Sequence, residues 1–187
     1  MARSIWTPVL GWVAAIAAAV ALALVAPHER LVLGKVPPVN AKRADQTHVA
    51  LPQGLPSDRT LAVVVFNRAQ REEAQSWVDG LRLHQDRDIN WVRLGVINDP
   101  GDETKRREIE QRLVQRNPQL ADPSRTVRVF TDKEAFVKAL GLQTAEHASV
   151  VVIDREGNVL ARAQGPFDEA KAQALRQTVL AQNDLRF

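Results

Sequence analysis

Two short stretches hold the residues that could do acid–base or anion chemistry: Asn67 to Glu73, and Glu146-His147. A carboxylate beside an imidazole, as in Glu146-His147, could serve as an acid–base couple. The plainer reading makes both residues solvent-facing loop positions, because the pair brings no nucleophile with it. Arg68 and Arg71 lie near the start of a predicted helix, where an anion could bind. Glu72 and Glu73 are equally placed to neutralise them on a solvated face. The chain of 187 residues has no cysteine, which removes disulfides, thiolate metal sites, cysteine nucleophiles and redox cycling. The four histidines lie far apart and form no HxxxH or HxH pair, so neither a metal nor another cofactor is expected. Net charge is only +3, with basic and acidic residues interleaved, which argues against nucleic-acid binding.

The elements that must position these residues follow from periodicity. Leu61 to Phe66 is a continuous apolar run, the pattern of a strand buried on both faces. A helix is expected over Gln70–Leu83, with Ala74, Trp77, Val78 and Leu81 on one stripe. Trp77 therefore reads as core. Ile89–Ile97 is the next strand; within it Trp91 falls opposite Val92 and Leu94, on the less buried face, and is a candidate interface residue. A charged helix, Glu103–Arg116, should bury Ile109, Leu113 and Val114. Its Lys105, Arg106, Arg107, Arg112 and Arg116 could meet anionic headgroups, although interspersed glutamates make a solvated helix the default. Val127–Thr131 is a short strand, Asp132 caps a helix to Leu140, and Gly141 stands where a left-handed cap belongs. Ser149–Ile153 and Asn158–Gln164 form a hairpin about Asp154–Gly157. Asp168 then caps the last helix. The order β-α-β-α-β-α-β-β-α predicts a mixed sheet flanked by helices, parallel in its first strands.

Ahead of this domain, residues 5–26 carry no charge and are long enough to span a membrane, which takes ~20 residues. A transmembrane signal anchor is the expectation for residues 1–26. A cleaved signal peptide is the alternative, and a soluble helix the third reading. Residues 27–58, with Pro27, Pro37, Pro38, Pro52 and Pro56, read as a tether, with a first strand over Val49–Leu51 as a further option. The folded domain is placed at 59–187. An apolar segment at the start of a chain usually exports the domain behind it, so this domain is expected in the periplasm, held at the inner membrane.

The string Val150-Val151-Val152-Ile153-Asp154-Arg155-Glu156-Gly157-Asn158-Val159 is similar to the T-x-x-I-D-x-x-G-x-V hairpin of the thioredoxin-like superfamily. Asp132, Ala139-Leu140-Gly141-Leu142 and Gly165 look like its aspartate, its mid-domain helix end and the glycine before its last helix. The resemblance runs over residues 60–181 and is strongest to the periplasmic peroxiredoxin-like, YtfJ-type branch. A weaker one is to assembly factors of membrane complexes. It implies that Leu61 to Phe66 leads into the former active site and that Asn67, Arg68, Gln70, Glu146 and His147 share one end of the sheet. It also places a C-x-x-C just after Phe66, where this chain has Asn67-Arg68-Ala69-Gln70-Arg71-Glu72-Glu73. Ala148 stands where the family has a cis-proline; a cis bond before a non-proline residue costs ~2.5–4 kcal/mol, so a trans bond is expected.

These readings converge on a redox-inactive interaction or assembly module with an envelope or membrane protein as partner. The alternative is a cysteine-independent enzyme or small-ligand binder using the cluster around Asn67 and His147. A deep polar pocket there would favour the alternative.

Overall fold

The computed structural model describes residues 32–116 and 122–181. Its strands are β1 (Gly34–Lys35), β2 (Val39–Arg43), β3 (His48–Leu51), β4 (Arg59–Val65), β5 (Trp91–Asn98), β6 (Thr126–Thr131), β7 (Ser149–Asp154) and β8 (Asn158–Gln164). Its helices are α1 (Arg71–Gly80), led in by a 3-10 turn at Arg68–Gln70, then α2 (Glu103–Arg116), α3 (Lys133–Ala139) and α4 (Glu169–Leu180). From β4 onward the succession is the one the periodicity predicts. All eight strands join one sheet in the order β1-β8-β7-β4-β5-β6-β2-β3. The β4–β5 and β5–β6 pairs are parallel, while β7 and β8 run antiparallel to their neighbours.

The central strand β4 is buried on both faces, as its unbroken apolar run requires. Ala62 and Val64 face a core closed by Phe136, Val137 and Leu140 at and just after α3. Leu61 and Val63 face the opposite core, under Trp77 and Val78 of α1 and Leu175 and Val179 of α4. Trp77 is fully buried; its Nε1 donates to Gly165 O at 2.8 Å and its ring meets Phe167 edge-on at 5.3 Å. Asp132 accepts from Ala135 N at 3.0 Å and Asp168 from Lys171 N at 2.8 Å, so both expected caps form. Gly141 has φ +68, and a side chain there would also strike Leu33 O.

Three expectations need correction. The segment expected as a tether contributes β1, β2 and β3, and the compact unit begins at Val32 rather than near residue 59. Its prolines do not break these strands because they sit between them. Pro37 and Pro38 precede β2, Pro52 follows β3, and the strands between bury Ala41, Val49 and Leu51. The optional strand at Val49–Leu51 is one arm of a hairpin that pairs with β6. Trp91 is 3% exposed and belongs to the core under α1. Its Nε1 donates to Leu83 O at 3.0 Å, which leaves no interface surface. Finally, α2 buries none of its described side chains: Ile109 and Leu113 are half-buried and Val114 is 46% exposed. Ion pairs hold the helix instead, from Glu110 to Lys42 at 3.1 Å and from Arg106 to Asp99. The apolar segment 5–26 lies outside the described residues; among those described, no helix is long and apolar enough to cross a membrane.

Candidate functional site

The chain leaves β4 at Phe66 and turns directly into the 3-10 segment, so side chains of this turn and of the first turn of α1 reach the loop that precedes β7. Gln70, 3% exposed, uses both ends of its amide there. Its Oε1 accepts from Phe66 N at 2.7 Å and from Asn67 N at 3.4 Å, and its Nε2 donates to Ala145 O at 2.6 Å. Three residues on, along the same side of the helix, Glu73 completes the join. Its Oε2 accepts from Ala148 N at 2.7 Å and its Oε1 lies 3.1 Å from His147 Nδ1. The bonds to Phe66 N and Ala148 N satisfy backbone groups of buried residues, which would be costly to leave unpaired, whereas the pair with His147 is exposed.

This geometry rearranges the expected acid–base couple. His147 pairs with Glu73, not with its neighbour Glu146, which is exposed. The reason is direction: the loop runs past the helix and presents His147 to α1. Glu73 is thereby withdrawn from the solvated arginine pairing expected for it. Among the described residues, three acidic or histidine side chains nowhere converge as a metal site would require. Ala148 follows a trans peptide, the only cis bond among described residues being Leu51–Pro52.

On the opposite flank of α1 the surface is open. A cleft of about 290 Å³ lies above β5 and β6, between α1 and α2. Val65, Phe66, Ala74, Val96, Ile97 and Leu113 give it apolar walls. Asn67, Arg68 and Arg71 stand along it from the turn and helix, and Arg93 and Arg128 rise from the strands. Its space comes from Gly95: a Cβ built there would meet nothing nearer than Val127 O at 3.9 Å. Gly95 stands directly across from Arg128 in the β5–β6 register, and Arg128 directly across from Lys42. Burial pulls the Arg93 guanidinium below its ordinary pKa, and the nearby Arg71 charge adds to this. Burial acts on Arg128 the same way, partly opposed by Glu110.

The expected site residues therefore separate. Gln70 and His147 both lie at the seam, the first bonded to Ala145 and the second to Glu73; Asn67 and Arg68 stand beside the cleft; Glu146 is solvent-facing; Trp91 is in the core. Arg93, Gly95 and Arg128 are not among the residues that sequence reasoning selects. Their signal is a charge or a glycine interrupting the apolar strands Val92-Arg93-Leu94-Gly95-Val96 and Val127-Arg128-Val129.

No family model and no curated protein sequence matches the chain. Solved structures do. BsSco, a member of the Sco family of cytochrome c oxidase assembly proteins, superimposes with a TM-score of 0.53 at 16% identity, over 82% of this chain and 95% of its own. A candidate electron transfer protein from Aquifex aeolicus VF5 gives 0.54 at 13% identity, over 81% and 99%. An uncharacterized conserved protein from Geobacillus kaustophilus gives 0.53 at 16% identity, over 80% and 82%. The fold is thioredoxin-like. Identities this low speak for the fold alone. Within that fold, the turn after Phe66 carries the Gln70 bridge in place of a thiol pair, and the chain has no sulfur nucleophile anywhere.

Proposed function

We propose that this chain is a redox-inactive thioredoxin-like binding module, tethered at the periplasmic face of the inner membrane, that assists assembly or stability of an envelope protein. The observation that carries the reading is the closed seam: Gln70 and Glu73 spend their polar atoms on Phe66, Ala145, His147 and Ala148. Side chains so engaged hold the turn and the loop together, which supports a structural use of the sheet end. The apolar run at 5–26 supports the tether. The likeness to the YtfJ-type branch supports the compartment, and BsSco's family of assembly proteins supplies the analogy for the role.

The test compares two sets of variants in the full chain. Arg68→Ala should weaken capture of the partner from solubilised native membranes, with the melting temperature unchanged within a few degrees. Glu73→Gln and His147→Ala should leave the cellular phenotype intact if the protein is well folded. Loss of the phenotype through the second pair, with partner capture untouched, would replace this reading with an enzymatic one. A phosphatase reporter must follow Phe187, because β1, β2 and β3 belong to the sheet. An inactive phosphatase with a bright cytoplasmic reporter at the same position would remove the compartment.

A further inference from the structure

The cleft beside α1 poses a separate question, because Arg128 and Arg68 on its wall have no ion-pair partner among the described residues. Arg128 is 8% exposed, and among the described residues no hydrogen bond or ion pair reaches its guanidinium. Glu110, the carboxylate that acts on it from a distance, is engaged by Lys42 at 3.1 Å. Lys42 itself faces Arg128 across the β2–β6 register, an arrangement of like charges that costs stability. One strand over, Arg93 donates to a neutral acceptor, Gln75 Oε1 at 3.0 Å, its Nε is buried without a partner, and the carboxylates of Asp79 and Asp122 act on it through their charge alone. Removing a guanidinium from water costs several kcal/mol unless an opposite charge is supplied. Two on adjacent strands, facing a cavity left open by Gly95, make that cavity a place where an anion is stabilised. A glycine inside a strand often marks such a close approach.

We propose that this cleft binds a small carboxylic acid with an apolar chain, its carboxylate on Arg128 and its hydrocarbon along Val65, Ala74, Ile97 and Leu113. The planar guanidinium fork matches a carboxylate. A body of hydrocarbon is required because the walls are mostly apolar, and the volume lies at the small end of ligand sites, which span ~300–1,000 Å³. Arg68, with no ion pair among the described residues, stands beside the opening as a further cation. The inference does not depend on where the chain resides or which protein it meets.

Octanoate is the probe, with octanol and acetate as controls carrying its two halves separately, titrated calorimetrically into the full chain. Octanoate should saturate one site, and each control should bind at least about tenfold more weakly. Gly95→Val places a side chain in the open space and should abolish binding. Arg128→Met removes the charge at similar length; it should fold at least as well as the wild type, since it relieves an unpaired buried cation, and lose at least about tenfold in octanoate affinity. Melting curves confirm that both variants are folded, and Arg128→Met decides if Gly95→Val is not. Equal binding of octanol or acetate, absence of octanoate binding, or affinity unchanged in Arg128→Met would each overturn the proposal. So would flotation with phosphatidylglycerol vesicles that Gly95→Val abolishes while octanoate fails to bind, which would put an acidic lipid in the cleft.

Discussion

Replacing Gln70 tests whether the seam is structural. In Gln70→Ala the amide that bridges Phe66 N at 2.7 Å and Ala145 O at 2.6 Å disappears, together with the longer contact to Asn67 N. Phe66 is 4% exposed, so water cannot readily replace the bond to its N–H. Leaving one buried backbone group unsatisfied costs ~1–3 kcal/mol. Ala145 is half-buried and recovers part of its loss from solvent, which puts the sum at ~2–4 kcal/mol. With a urea m-value of ~2 kcal/mol/M, the middle of the usual range, the denaturation midpoint should fall by roughly 1–2 M. Gln70→Glu is the sharper probe. It keeps the length and the acceptor for Phe66 N but turns the donor into a second oxygen facing Ala145 O, and should lose about as much. Hydrogen exchange gives a local readout, since the Phe66 amide should exchange faster in Gln70→Ala. If both variants stay within ~0.5 kcal/mol of the wild type and the Phe66 amide stays protected, the seam contributes nothing and the sheet end is free for other work.

Trp77→Ala and Trp91→Ala should each destabilise by ~3–5 kcal/mol in urea titrations, because both indoles are buried with bonded N–H groups. A Trp91→Ala variant with an unchanged melting temperature would restore that residue to the surface. Gly141→Ala should cost at least ~1–3 kcal/mol in the same assay, since its φ of +68 and the closeness of Leu33 O both exclude a side chain. Asp99 should titrate below the usual carboxylate range by NMR, because Arg106 donates to it at 2.8 Å. A depressed folded-state pKa means this contribution is present above the unfolded value of ~3.9 and lost as pH falls through the folded one, so the gap to Arg106→Ala should close on acidification.

How much can be read from the chain depends on how local the determining physics is. The run Leu61 to Phe66, the caps Asp132 and Asp168 and the glycines 141 and 157 act through their own backbone or their nearest turn. Each is legible, and together they set the order of elements. Strand β2 is hidden because its sequence is short and largely polar, and β3 shows only as the option Val49–Leu51; the hairpin of the two and the pairing of β2 with β6 are long-range features. Trp91 misleads for a related reason: alternation identifies two faces, but both faces of β5 are covered at that end, one by the core that holds Trp77. His147 points to the wrong carboxylate in the sequence because adjacency along the chain is a poor guide in a loop. The partner it meets, Glu73, stands 74 residues earlier.

The two flanks of α1 explain why the candidate cluster splits. Gln70 and Glu73 project toward the loop before β7 and are consumed there, so that flank holds the domain together. Arg71 and Ala74 project the other way, over β5 and β6, where Gly95 removes the side chain that would otherwise fill the space. Glu73 and Arg71 part because residues two apart on a helix do not share a face, and Gln70 reaches the loop from the 3-10 turn that leads into the helix. A stretch read as one constellation in the sequence is therefore two surfaces in space. The polar surface is closed by hydrogen bonds within the chain, whereas the apolar surface keeps a buried Arg128 to which no described residue bonds. Stability variants should accordingly cluster at Gln70 and Glu73, and ligand-affinity variants at Gly95 and Arg128, with little overlap between the two sets.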